Sequence, residues 1–508
     1  MAACSSEPEP ASSADAGTPA LDAGRDPRPD AGLERLDGGS ASDAGPTADA
    51  SADAGLPALP EAADPERLTG FVRELSHPDL GGRLTGTASG DAAEAWLRAR
   101  LVQTGLEIVE QQVTFPFYEV AGPARLAVVD ENGTAVEELA YFEEFREIDF
   151  SGSGAVTGEL VFAGYGVVTE ARDDFAGLEL SGRIVAVITG VPPGSGLDPK
   201  EEGRIDRKVH AAWSRGAVGA VVALAGSAAT SAYHAGLAAE LAARGPEGVD
   251  PALHLEAFPL AFLRFEATER LVGRDAVALA YDPSPFATGR RVALEIHGTT
   301  HLQASCRNLL AVHRGTDPAL AEEVVLLGAH YDHLGAGADG RVFPGAADNA
   351  AGASIVLETA TALAASGVRP RRTVVFALFC AEEQGLFGSR HYVEQEPLFP
   401  LAATALMVAV DFIGEGDPML TNPDDNPLFQ LFFGDADQHP ELPIDPVDYH
   451  GGCASDDCPF LWAGRPAYRF LANGVHHHLP SDTFETLRLP VVVRIADVCI
   501  EGIAKSAY

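Results

Sequence analysis

Val324-Val325-Leu326-Leu327-Gly328-Ala329-His330-Tyr331-Asp332 is an unbroken apolar run that ends in a histidine and a carboxylate. The pattern recurs downstream. Thr373-Val374-Val375-Phe376-Ala377-Leu378-Phe379 leads to Glu382-Glu383, and Ala405-Leu406-Met407-Val408-Ala409-Val410 leads to Asp411. Ala467-Tyr468-Arg469-Phe470-Leu471 leads to His476-His477-His478 and then Asp482-Thr483, while Pro344-Gly345-Ala346-Ala347 delivers Asp348-Asn349. Apolar runs without alternation are how parallel strands covered on both faces read. Residues 349–366 read as an apolar-periodic helix between two such runs, which makes a βαβ unit. The expected fold is α/β: a doubly wound, mostly parallel sheet flanked by helices. In such sheets ligands bind outside the carboxyl ends of the strands, where all these polar residues fall.

Taken singly, each has an ordinary explanation: a solvated histidine, a surface Glu-Glu pair, an aspartate capping a turn. Taken together they form a ligand inventory. His, Asp and Glu are the donors of catalytic zinc, and two zinc ions about 3.5–4 Å apart need one carboxylate that bridges them. Asp348 is the natural bridge. Two Zn²⁺ would be offset by Asp348, Glu383, Asp411 and one bound hydroxide, which favours ionising a water near neutral pH. Glu382, beside Glu383, is better placed as the base that takes the water's proton and passes it to the leaving amine. Asp332, two residues beyond His330, can hold the other N–H of that imidazole.

With these segments the chain resembles the co-catalytic zinc exopeptidases, which include bacterial leucyl aminopeptidases and glutamate carboxypeptidase. The matching stretches are Gly328-Ala329-His330-Tyr331-Asp332-His333-Leu334-Gly335, Gly345-Ala346-Ala347-Asp348-Asn349-Ala350-Ala351-Gly352, Ala381-Glu382-Glu383-Gln384-Gly385-Leu386-Phe387-Gly388-Ser389, Asp411-Phe412-Ile413-Gly414 and His478-Leu479-Pro480-Ser481-Asp482-Thr483. The resemblance covers about 65–150 and 293–508. It implies one zinc on His330, Asp348 and Glu383, a second on Asp348, Asp411 and His478, Glu382 as the base, and a cis bond between Asp348 and Asn349. The Asp-Thr spacing favours His478 over His476 and His477. Two positions depart from the family. Ser455-Asp456-Asp457 stands where Ser-Asp-His is common, and the oxyanion tyrosine of some relatives has no clear match: Gly452 holds the likeliest position and Tyr449 lies nearby.

Between the two halves, residues 151–292 read as a small β-rich module. Val161-Phe162-Ala163-Gly164-Tyr165-Gly166, Gly182-Arg183-Ile184-Val185 and Arg215-Gly216-Ala217-Val218-Gly219-Ala220 resemble a protease-associated (PA) domain, which in relatives forms a partial lid or wall beside the active site. The expected organisation is 1–64 tether, 65–150 and 293–508 peptidase domain, and 151–292 inserted module.

Residues 1–64 repeat Asp-Ala-Gly five times and hold 13 acidic and 3 basic residues. Such a segment buries too little apolar area to offset its ordering entropy and reads as a disordered tether. Its start, Met1-Ala2-Ala3-Cys4-Ser5-Ser6, resembles the end of a lipoprotein signal and makes Cys4 a candidate lipid anchor. The net charge of the whole chain is -39, which disfavours a nucleic-acid partner. No apolar run reaches the roughly 18–20 residues of a membrane helix. The expected location is extracytoplasmic: secreted, periplasmic or anchored at an outer membrane. Cys453 and Cys458 are close enough for a small disulfide loop, whereas Cys306, Cys380 and Cys499 sit among apolar residues and read as buried thiols.

The function expected is a zinc-dependent aminopeptidase acting on peptides with two Zn²⁺ per chain. A glutamate-type carboxypeptidase should show arginines poised for a substrate carboxylate, and only Arg465 and Arg469 lie near a ligand segment. A receptor-like relative without metal fits less well because every ligand and the base are present, and a glutaminyl cyclase because the resemblance implies one zinc and no inserted domain for it. The sequence is silent on the preferred side chain and on oligomeric state.

Overall fold

Asp64 caps helix α1 (Pro65–Leu75), its carboxylate accepting the N–H groups of Glu66 and Arg67. The computed structural model describes residues 58–148, 150–199, 201–223, 255–421, 423–434, 442–447 and 455–508. The tether, apart from its last few residues, lies outside them, as do Cys4, Tyr449, Gly452 and Cys453. Leu68, Val72 and Leu75 bury one face of α1. Arg67 of the same helix donates to Glu358, whose side chain is fully buried, at 2.7 Å. Helix α2 (Ala88–Gln103) follows and buries Ala93, Leu97 and Leu101.

Strand β1 (Glu107–Val129) is one long strand. It remains continuous because its pairing absorbs register shifts near Phe115 and between Val120 and Arg125. Next come β2 (Ala135–Glu138), β3 (Phe145–Glu147), β4 (Gly154–Phe162), β5 (Ile184–Ile188), helix α3 (Ile205–Trp213), β6 (Gly219–Ala223), β7 (Leu260–Leu263) and helix α4 (Phe265–Val272). Strand β8 (Phe286–His313) pairs antiparallel with β1 along nearly its whole length. Its first half pairs with β4 and its last residues with β10 (Thr373–Phe379), so it belongs to both ends of the sheet.

The central strands are β9 (Val324–His330), β10, β11 (Thr404–Val410) and β14 (Ala467–Ala472), all mutually parallel. Strands β12 (Pro418–Thr421) and β13 (Asp445–Val447) extend the edge beyond β14. The order is β13-β12-β14-β11-β9-β10-β8-β4-β5-β6-β7-β3. Every residue of β9 and β10 is buried, as continuous apolar runs require. Helix α5 (Gly352–Ala365) links β9 to β10, and α6 (Leu489–Ala507) packs against it. From β9 the chain passes to β10 on one side and then returns to β11 on the other. That reversal creates the switch point outside the ends of β9 and β11.

Two apolar clusters line the two faces of the central strands, and two more, drawn from residues 124–296, line the β4–β7 end. Cys306 and Cys380 form a disulfide, which corrects the reading of both as thiols. β10 pairs with β8, and this brings the end of one strand level with the other. Cys499 is a buried free thiol as expected, and Cys458 is disulfide-bonded. Among the described residues no helix is long and apolar enough to cross a membrane.

Candidate metal centre

His330 is the last residue of β9, Glu382 and Glu383 follow β10, and Asp411 follows β11. Asp348 lies in the turn before α5, and its bond to Asn349 is cis. His478 comes from the loop after β14 in a left-handed conformation, φ 56°. Five strand or loop termini therefore converge at the switch point.

The ligand atoms of His333, Asp348, Glu383 and His478 all lie within 4.8 Å of one another, and those of His330, Glu382 and Asp411 form a second such group. Asp348 stands between the two. Its Oδ1 is 3.4 Å from His330 Nε2, and its Oδ2 is 3.0 Å from His478 Nε2. His330 Nε2 is also 3.1 Å from Asp411 Oδ1, and His478 Nε2 is 3.1 Å from Glu383 Oε2. The pairing thus differs from the one the family resemblance implies. His330 groups with Asp411, and His478 groups with Glu383. The strand order explains the first: β11 is a direct neighbour of β9, so Asp411 lies beside His330.

The donor set fits zinc. Tetrahedral bonds of about 2.0–2.1 Å place neighbouring ligand atoms about 3.3 Å apart, close to these separations. Both oxygens of Asp348 are buried and, among the described residues, receive no well-aligned N–H or O–H donor and face imidazole nitrogens. Burial opposes ionisation of Asp348, yet His333, His477 and His478 hold its carboxyl well below the ordinary range. Glu383 is likewise depressed against burial, chiefly by His478 and His333. Glu382 behaves oppositely. Burial pushes its carboxyl well up, and of its charged neighbours His330 opposes this while Glu383, Asp411 and Asp456 add to it.

A shell of buried groups holds these residues. Asp332 accepts the backbone N–H of Glu382 at 3.2 Å and of Glu383 at 3.3 Å. Its carboxylate is 3.8 Å from His330 Nδ1, which lies nearer the Asp332 carbonyl at 3.3 Å. Asp332 therefore grips Glu382 and Glu383 more closely than the imidazole it was expected to orient. Asp482 accepts the N–H groups of Ala347 and Asp348. The Asn349 amide donates to Val410 at 2.8 Å and accepts from Gly352 at 3.0 Å. Arg83 is fully buried and donates to the carbonyls of Leu75, Tyr331, Pro344 and Gly345, tying the His330 loop to the Asp348 turn.

His333, Arg83 and Glu415 escape the sequence reading. His333 stands in the quoted His-Tyr-Asp-His stretch, so its position was visible while its partner was not. Glu415, four residues beyond Asp411, accepts the N–H groups of Val475 and His476 at 2.8 and 3.0 Å and so fixes the loop that presents His478. Of the other two histidines, His476 Nδ1 bonds Ser481 Oγ at 2.8 Å. His477 is 42% exposed; its Nε2 reaches Asp348 Oδ2 at 3.2 Å and its ring stacks on His478. Arg469 is buried beside Asp457 and Asp411 at 3.8 and 3.9 Å, and Arg465 donates to the Gly464 and Ala402 carbonyls.

All of these ligand segments lie within residues 308–503, which match the family model described as Peptidase family M28. This segment is similar to M28 peptidase domains. Part of the chain is also similar to curated proteins. Over 159 residues the chain is 33% identical to "Leupeptin-inactivating enzyme 1" of Streptomyces exfoliatus, covering 31% of this chain and 34% of that protein. Over 149 residues it is 36% identical to "Probable lipoprotein aminopeptidase LpqL" of Mycobacterium tuberculosis, covering 29% and 26%. The chain thus spans about a third or less of the length of these two relatives. The likeness of fold reaches further than residues 308–503. A solved aminopeptidase from Aneurinibacillus sp. strain AM-1 superposes with a TM-score of 0.64 at 21% identity, covering 88% of this chain and 95% of that one. A zinc aminopeptidase from Bacillus subtilis gives 0.62 at 19% identity, covering 89% and 96%.

Proposed function

We propose that the chain is a zinc-dependent aminopeptidase that removes N-terminal residues from peptides. The observation that carries this reading is Asp348, a buried carboxylate whose two oxygens face two separate His/carboxylate groups. His330, Asp348 and Asp411 would hold one zinc, and Asp348, Glu383 and His478 the other. When bound, such a pair polarises a peptide carbonyl and lowers the pKa of a water.

The chain's own residues supply the rest. Glu382 has no other acidic task in this arrangement; its Oε2 lies 3.9 Å from His330 Nε2, at the rim of that group. It takes the water's proton and delivers it to the leaving amine nitrogen. Asp332, bonded to the Glu382 backbone, keeps that carboxylate aimed as the proton moves. Asp482 and Arg83 hold the Asp348 turn. An aminopeptidase is favoured over a carboxypeptidase because Arg469 is committed to Asp457 and Asp411, and Arg465 to backbone carbonyls.

Residues 151–292 act in this reading as a PA-type wall. The turn leading into them touches the loop between His333 and Asp348: Phe142 packs on Phe343, and Glu143 pairs with Arg341. The Cys306–Cys380 disulfide supports an extracytoplasmic location. Cys4 remains the candidate lipid anchor, to be tested by mass spectrometry of the native product.

The test is a panel of aminoacyl-nitroanilides and blocked C-terminal dipeptides, with and without chelator. Chelator-sensitive release from the nitroanilides is expected. Release only from the C-terminal dipeptides would overturn the reading in favour of a carboxypeptidase.

A further inference from the structure

Glu383 divides its two oxygens between different histidines. Oε2 is 3.1 Å from His478 Nε2, and Oε1 is 2.6 Å from His333 Nδ1. An ionised carboxylate can only accept, so the His333 proton lies on Nδ1 and is donated to Oε1. His333 is fully buried and its Nε2 has no hydrogen-bond partner among the described residues, where the ring's one bond is the bond to Glu383. The ring has a fitted seat. A Cβ at Gly345, where φ is +57°, would approach His333 Cδ2 to 2.4 Å. Only glycine leaves that space. Asp348 Oδ2 is 3.8 Å from His333 Nδ1, outside bonding reach.

We propose that His333 is a positioning residue: its Nδ1–H holds Glu383 Oε1, so that Oε2 alone faces the metal position shared with Asp348 and His478. This rests on the two-zinc reading above. Donors behind a metal ligand fix its orientation and basicity, and their loss typically weakens binding. The short segment Asp332-His333 then orients Glu383 twice, through its backbone N–H and through its side chain.

The test is zinc affinity of the full chain, stripped of metal and titrated with zinc against a competing chelator, for wild type, His333→Asn and His333→Leu. Asparagine can present an amide N–H where the imidazole Nδ1–H stood; leucine fills the seat without a donor. His333→Leu is expected to weaken one of the two zinc affinities by about 10–100-fold, and His333→Asn to stay within about threefold of wild type. Wild-type affinities at both positions in His333→Leu would overturn the proposal. So would an equal loss in His333→Asn, which would assign the ring a role in packing or direct ligation. A wild-type chain that binds two zinc ions but releases no N-terminal residue would overturn the proposed function while the affinities still decide the role of His333.

Discussion

Asp482 Oδ2 accepts the backbone N–H of Asp348 at 3.1 Å, inside a site where both residues are buried. A carboxylate has thus been placed behind the very residue expected to bridge two cations. Burial raises the Asp482 carboxyl to about 7, against the backbone N–H of Ala347. So costly a group is retained where its hydrogen bonds set geometry.

Asp482→Asn keeps the shape but can turn an N–H towards the backbone N–H of Asp348. It should weaken zinc binding by about 10–100-fold and lower kcat/KM in parallel. Zinc titration of the variant checks this; unchanged affinity would show that the turn holds itself.

In the proposed mechanism Glu382 and Glu383 are neighbours with opposite roles. Glu382→Gln should cut kcat by about 10²–10⁴-fold with two zinc ions still bound. Glu383→Gln should lose zinc. If Glu382→Gln also loses a zinc, Glu382 is a ligand rather than the base.

The metal-free protein should lose stability as pH rises from 6.5 to 8. Burial and nearby carboxylates raise the carboxyls of Glu382 and Asp456, the latter to about 7, while carboxylates hold His330 and His478 well above the histidine range against burial. In this window the native chain binds more protons than the unfolded one, so unfolding free energy falls with pH. Zinc supplies the positive charge those protons provide, and a saturating excess should flatten the slope. Thermal melts with and without zinc read the difference; a metal-free Tm that climbs over this range would contradict it.

The Cys306–Cys380 bridge spans 74 residues and ends just before Ala381-Glu382-Glu383. Cys306→Ala/Cys380→Ala should cost about 2–4 kcal/mol of stability, measured by denaturant unfolding. An unchanged midpoint would show that β8–β10 pairing suffices.

The central sheet was legible because parallel strands buried on both faces must be continuously apolar, and the residues that end them stand out. His330, Asp348, Glu382, Glu383, Asp411 and His478 came into view in this way, and the structure brings them together. Which histidine faces which carboxylate was not legible. That depends on β11 lying beside β9 rather than beyond β10, a long-range crossover with no local signature. The disulfide was hidden for a similar reason, since a cysteine among apolar neighbours reads alike as thiol or bridge until β8 and β10 are paired. Arg83 looks like any surface arginine until the carbonyls of two distant loops are seen to close around it.

The central claim is a two-zinc peptidase site bridged by Asp348. Its most direct test is hydrolysis of an aminoacyl-nitroanilide, followed while the metal-free chain is titrated with zinc. Activity should grow and reach its plateau at two zinc ions per chain, and Asp348→Asn should abolish it together with binding at both positions. Full activity at one zinc per chain, or an active Asp348→Asn variant, would contradict the account.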